Sequence, residues 1–220
     1  MPPVRTPLPS LLAAVLFLTA GCGGGHGTTT SSGTPARLLH PERLHATAPA
    51  LFDATFKTTK GRFVVSVHRA WSPQGADRFY NLVKAQFYDG VAFFRVVPDF
   101  VVQFGISPYP QVSRAWVDAV IPDDPHKESN KPGTITFATS GPRTRTTQVF
   151  VNLVDNSRLD AQGFTPFGKV TKGMAVVERL FSGYRDQPTQ LQPQIENEGN
   201  AFLEKKFPKL DHIVSARIGS

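Results

Sequence analysis

Arg95 and Gln103 stand eight residues apart in a run that is otherwise almost wholly apolar, Phe93-Phe94-Arg95-Val96-Val97-Pro98-Asp99-Phe100-Val101-Val102-Gln103-Phe104-Gly105. A guanidinium in such surroundings loses hydration unless a carbonyl or an anion faces it. Either Arg95 pairs with a structural carboxylate, or it is held at a functional site, and the run alone leaves both open. Other chemistry-bearing residues are weaker signals. His126 beside Asp123 and Asp124 suggests a metal, but no second spaced ligand set accompanies it, so no metal or other cofactor is expected. Arg143 and Arg145, in the polar loop Gly141 to Thr147, are expected to be solvated rather than to contact nucleic acid.

The elements that must position these residues follow from periodicity. Phe52 to Lys57 alternates with period two, Thr58 to Gly61 turns, and Arg62 to His68 returns, which predicts a hairpin. Ser72 to Asp77 opens a helix with Phe79, Leu82 and Val83 on one face. Further strands are expected at Phe93–Val97, Val101–Phe104, Thr134–Thr139, Gln148–Asn152 and Phe167–Val170, and a last one at Ile213–Ile218. Met174 to Phe181 reads as a second helix. Ile195 to Lys206 reads as an amphipathic one, anchored by Phe202, Leu203 and Phe207. Many short strands, turns rich in Gly and Pro, and few helices imply a closed barrel or a sandwich. No Gly-rich phosphate loop follows a strand, so nucleotide chemistry has no support.

Of the 220 residues, 40% are hydrophobic and 19% charged, a balance that suits one folded domain plus a targeting segment. Seventeen phenylalanines against 4 tyrosines and 2 tryptophans point to a core or pocket built on aromatic rings. The net charge of +7 is scattered, with no Lys/Arg run dense enough for a nucleic-acid arm. At the N-terminus, Arg5 and the apolar stretch Leu11 to Leu18 form a signal peptide, too short for a stable membrane span. Leu18-Thr19-Ala20-Gly21-Cys22 resembles the lipobox of bacterial lipoproteins. Cys22 is the chain's one cysteine, so it has no intramolecular disulfide partner and is expected to carry lipid. Gly23 to Pro35 has no apolar periodicity and reads as a tether, spanning about 20 Å as a random coil. The expected organisation is a signal peptide over 1–21, lipidated cysteine and flexible linker over 22–50, and a folded domain over 51–220. The protein would be a lipid-anchored monomer of the bacterial cell envelope, facing the periplasm or exterior.

Four segments stand in an order that resembles the cyclophilin-type peptidyl-prolyl cis-trans isomerases. Asp89 to Gln103 is similar to the family's F-H-R-x-x-P-x-F-x-x-Q-x-G signature. Gly133-Thr134-Ile135-Thr136-Phe137-Ala138-Thr139-Ser140-Gly141-Pro142 lies where the family has an S-M-A-N-A-G-P-like run. Thr147-Gln148-Val149-Phe150-Val151 is similar to S-Q-F-F-I. Leu159-Asp160 followed by Phe167-Gly168-Lys169-Val170 is similar to L-D-x-x-x-x-x-F-G-x-V. The resemblance covers about Phe52 to Ile218. It implies a closed eight-stranded antiparallel barrel capped by two helices, with the site on its outer face and the helix Ile195 to Lys206 as an addition.

The substrate implied is an X-Pro bond in another polypeptide, whose rotation is slowed by an amide-resonance barrier of about 18–20 kcal/mol. A donor near the prolyl nitrogen favours the twisted form, with no covalent intermediate and no cofactor. The resemblance assigns that role to Arg95, whose guanidinium is always charged and forked. Gln103 would support it. Phe100, Val101, Phe150, Leu159 and Phe164 would grip the proline ring, backbone groups of Ala138 and Thr139 would pair with the peptide, and Gln148 would border it. The chain departs from the family pattern at Val101 for methionine, Thr139 for asparagine, Arg158 for tryptophan, Phe164 for histidine and Phe104 for glycine. Loss of the indole at Arg158 implies weak binding of cyclosporin-type ligands. The function expected is isomerisation that assists folding of exported or envelope proteins. The alternatives are a non-catalytic proline-segment binder or chaperone on the same fold, and a structural envelope lipoprotein. A buried cation serves neither alternative.

Overall fold

The structure is a computed structural model in which residues 33–219 are described. Strands β1 (Leu51–Thr58) and β2 (Gly61–His68) form the expected hairpin, in register from Leu51 opposite His68 to Thr58 opposite Gly61. Period-two alternation sends Phe52, Ala54, Phe56, Phe63, Val65 and Val67 into the core. Helix α1 (Pro73–Lys84) starts with proline at its first position, where a missing N–H costs nothing. Its free N-terminal amides are capped from a distance: Asp124 accepts from Gln74 N at 2.9 Å and Gly75 N at 3.0 Å.

The chain continues through β3 (Arg95–Val97), β4 (Val101–Phe104), α2 (Pro110–Trp116), β5 (Thr134–Phe137), β6 (Val149–Asn152) and β7 (Pro166–Lys172). Helices α3 (Met174–Glu178), α4 (Gln192–Glu198) and α5 (Asn200–Lys206) precede β8 (Ile213–Ile218). The eight strands make one antiparallel sheet in the order β3-β4-β6-β5-β7-β2-β1-β8, curled around an aromatic core. Phe104, which stands for a family glycine, is fully buried there. Its ring meets Phe56, Tyr88 and Phe93 edge-on at 5.8, 5.5 and 5.3 Å.

The expected closure is not formed. The sheet is an open, curled half-barrel, and no ladder joins β3 to β8 among the described residues. The seam is held instead by Gly90 N to Ile213 O (2.8 Å), Ile213 N to Val91 O (2.9 Å) and Phe93 N to Asp211 O (2.9 Å). The physical reason lies in β3, which is three residues long. Phe93 and Phe94, expected inside the strand, precede it and turn to different cores, Phe93 to the main one and Phe94 to a cluster with Ile195, Leu203 and Phe207. On the outer edge of β3, Val96 N donates to Arg185 O (3.3 Å), so a turn covers what a strand would have covered.

Two other expectations change. Ile195 to Lys206 is two helices, broken at Gly199, whose φ of 65° favours glycine. A Cβ there would collide with the Pro108 carbonyl. The compact unit also begins at Thr34, not at residue 51. Residues 36–43 form two 3-10 turns that place Leu38 in the main core at 1% exposure, and Trp116 Nε1 donates to Leu38 O at 2.8 Å. The stretch has too few apolar residues for a periodic signal, which is why it reads as linker. The expected signal peptide over 1–21 and the expected lipidation site Cys22 lie outside the described residues. Among the described residues, no helix is long and apolar enough to cross a membrane.

Candidate active site

Arg95 and Gln103 face each other across the β3–β4 ladder, and Gln103 faces Phe150 across β4–β6. Alternation puts Val96, Val102, Val149 and Val151 in the core and leaves Arg95, Val101, Gln103 and Phe150 on the outer face. Arg95 Nη1 donates to Gln103 Oε1 at 3.1 Å, and Gln103 Nε2 donates to Gln148 Oε1 at 3.0 Å. The glutamine amide is thereby oriented at both ends, and it holds the guanidinium. Arg95 has no ion pair among the described residues, and its buried Nε has no hydrogen-bond partner among them. Burial lowers its pKa, opposed by the field of Asp186, yet an arginine stays charged at neutral pH. The structural ion pair that the sequence left open is therefore not what Arg95 makes.

Beside this pair, Arg95, Phe100, Val101, Gln103, Ala138, Thr139, Phe150, Leu159 and Phe164 line one cavity of about 140 Å³. Val101, Phe150 and Leu159 form its buried apolar base, and Phe164 closes one side with its ring edge-on to Phe150 at 5.6 Å. Gln148 borders the site through Gln103. All the predicted polypeptide-site residues thus come together. One expected role changes: the Ala138 N–H already donates to Gln148 O (3.0 Å), extending the β5–β6 pairing, so it is not free for a peptide. The Thr139 hydroxyl is also occupied, donating to Gly141 O and bonded to Thr144 Oγ1 at 2.8 Å.

Sequence reasoning missed the support beneath. Asn130, Asn152 and Asn156 are fully buried. Asn156 Nδ2 donates to Phe100 O (3.0 Å) and Asn152 Oδ1 (2.9 Å), and Asn130 Nδ2 donates to Phe164 O (2.8 Å) and Asp160 Oδ1 (2.8 Å). Phe100, Leu159 and Phe164 are held in place by this network. Burial acts to raise the Asp160 pKa, but hydrogen bonds from Ser129 and Asn130 outweigh it and hold the carboxyl below its ordinary value. Asparagines inside or next to apolar strands were the available signal. Arg158, which stands where the family pattern has a tryptophan, lies over the Phe100 ring at 5.0 Å, and Arg95 approaches the same ring at 5.4 Å.

Arg145 corrects another expectation. It is 3% exposed rather than solvated, donating to Asp124 Oδ2 at 3.0 Å and to the Pro122 carbonyl. The loop Gly141 to Thr147 beside the site is thus tied to the cap of α1. Two arginines in a polar stretch look alike in sequence, and only packing separates buried Arg145 from exposed Arg143.

With this geometry, the comparisons are decisive. The profile of the family "Cyclophilin type peptidyl-prolyl cis-trans isomerase/CLD" matches residues 53–199. The chain belongs to this family. The cyclophilin is 33% identical over 141 residues to a peptidyl-prolyl cis-trans isomerase of Acinetobacter baylyi, covering 62% of this chain and 74% of that one. It is 31% identical over 131 residues to the isomerase ppi1 of Schizosaccharomyces pombe, covering 58% and 84% of the two chains. In fold it is similar to a crystal structure of a Cryptosporidium parvum cyclophilin type isomerase, with a TM-score of 0.57, 16% identity, and coverage of 77% of this cyclophilin and 98% of that chain.

Proposed function

We propose that this cyclophilin accelerates cis–trans rotation about X-Pro bonds in polypeptides. The observation that carries the reading is a charged donor at the rim of an apolar cavity: Arg95, oriented by Gln103, beside Val101, Phe150 and Leu159. The cavity takes the proline ring, and the guanidinium donates toward the prolyl nitrogen as the amide twists. That contact strengthens only in the twisted state, so it lowers the barrier rather than merely binding the ground state. Phe100 and Phe164 flank the ring. The Ala138 and Thr139 carbonyls and the Gln148 side chain border the rest of the peptide.

The same reading places the protein at a bacterial membrane as a lipoprotein anchored through Cys22, acting as a monomer on exported or envelope proteins. Its support is the sequence: an n-region, an apolar stretch, small residues before the chain's one cysteine, and a Gly/Thr/Ser tether. The test pairs two measurements. Full-length protein is expected to speed cis-to-trans relaxation of a short X-Pro peptide, with most of the gain lost in a folded Arg95→Ala. Cells producing it are expected to incorporate labelled palmitate, lost in Cys22→Ser. A folded parent that binds proline peptides without accelerating them would be a binding module instead.

A further inference from the structure

The outer face of the sheet carries a second set of cations, on strands away from Arg95. Period-two alternation turns Lys57 of β1, Arg62 of β2, and Lys169 and Lys172 of β7 outward, and all four are exposed. The hairpin register sets Lys57 directly opposite Arg62. Val64 stands between Thr55 and Lys172, and Ser66 stands between Asp53 and Lys169. With about 4.8 Å between strands and about 7 Å between alternate residues, the four cations fall within about 17 Å of one another along the sheet. None of them enters an ion pair among the described residues. Asp53 shares this face, two rungs of the ladder from the Lys57–Arg62 pair. Like charges directly opposite in a ladder destabilise it, so the Lys57–Arg62 pairing opposes folding until an outside anion relieves it.

Resting on the membrane placement above, we propose that the outer face of β1, β2 and β7 docks by charge on an anionic phospholipid surface. The cations are spread over a sheet face, not gathered in a groove. The residues between them, Thr55, Val64 and Ser66, are small and offer no ring on which a base could stack, so a headgroup layer fits better than nucleic acid. The attraction acts only within about 8 Å of the surface at physiological salt. On the lipoprotein reading, the stretch from Cys22 to Thr34, about 20 Å as a random coil, keeps the face in reach. Arg95, Gln103 and Phe150 stand on β3, β4 and β6, in the other half of the strand order. Because the sheet curls around its core, docking through β1, β2 and β7 leaves the proline cavity open to clients.

The test is co-sedimentation of full-length Cys22→Ser protein, which has no thiol to carry lipid, with phosphatidylcholine vesicles with and without 30% phosphatidylglycerol. The parent is expected to prefer the anionic vesicles and to lose that preference at high salt. Changing Lys57, Arg62, Lys169 and Lys172 together to Gln should weaken binding about fivefold per cation removed. Changing Arg114, Lys205, Lys206 and Lys209 to Gln lowers the net charge equally and should cost fivefold at most. Lys57→Glu converts the like-charge pair into an ion pair with Arg62, so it should weaken binding without lowering the melting temperature. Residues 1–33 are common to all variants, so the differences read the sheet face. Equal losses in the two four-site variants, no preference for anionic vesicles, or tighter binding to duplex DNA than to vesicles overturns the proposal. So does loss of X-Pro relaxation on the vesicles by protein that is active in solution. The lipoprotein reading fails separately, if palmitate is not incorporated by the parent carrying Cys22.

Discussion

Arg95 Nη1 donates to Gln103 Oε1 at 3.1 Å, and the two residues are also direct partners across the β3–β4 ladder. One strand pair therefore sets both the backbone spacing and the side-chain contact. Removing the guanidinium by Arg95→Ala should lower kcat/KM about 10²-fold, the usual loss of a preorganised donor. Arg95→Lys should recover little, because a point charge lacks the fork that meets Gln103 and substrate together. Gln103→Ala should cost about tenfold, mainly in kcat. Circular dichroism checks that each variant is folded, and a near-normal rate in Arg95→Ala would sink the assignment.

Asn130 joins Asp160, Phe164, Thr136 and Asn152 with no exposure to solvent. Asn130→Ala would take one hydrogen bond from the partly buried Asp160 carboxylate, which keeps those from Ser129 Oγ and the residue-130 N–H, and would remove the acceptor of the buried Thr136 hydroxyl. We expect a loss of about 2–4 kcal/mol in urea unfolding and a raised KM, since Phe164 loses its anchor. A stability change below about 0.5 kcal/mol would mean that water replaces the network.

The turn around Leu38 is part of the fold. Leu38→Ala should destabilise by about 2–5 kcal/mol. Deleting residues before Leu51 should lower the melting temperature further, because it also removes the acceptor of Trp116 Nε1. Equal melting curves for chains starting before Thr34 and at Leu51 would show that this segment is dispensable.

His212 lies at the seam with a buried Nε2 that lacks a partner among the described residues. Burial lowers its pKa, opposed by Glu204 and Asp211. Below the unfolded value of about 6.5 the unfolded chain binds the proton more readily than the fold does. Stability is therefore expected to fall as pH drops from about 6.5 towards the folded pKa, and to level off below it. His212→Gln should flatten that portion of a melting-temperature series run from pH 7.5 to 5. An unchanged slope in the variant would place the pH dependence elsewhere.

The residues that line the cavity beside Arg95 were named before their positions in the fold were known. Arg95 and Gln103 stood out as polar residues in an apolar run, whereas Phe100, Val101, Phe150 and Leu159 were assigned by the resemblance of their motifs to the cyclophilins and not by periodicity. Local pattern also placed the hairpin, α1 and the last strand. What it did not determine depends on partners distant in the chain. The open seam between β3 and β8 follows from where Phe93 and Phe94 pack. The burial of Arg145 follows from Asp124, 21 residues away, and that of Leu38 from Trp116, 78 residues away. Periodicity reports which face of an element is apolar. Which other element covers that face, and which polar group meets which, is settled by tertiary packing, where a buried charge or amide must find its partner wherever the chain brings one.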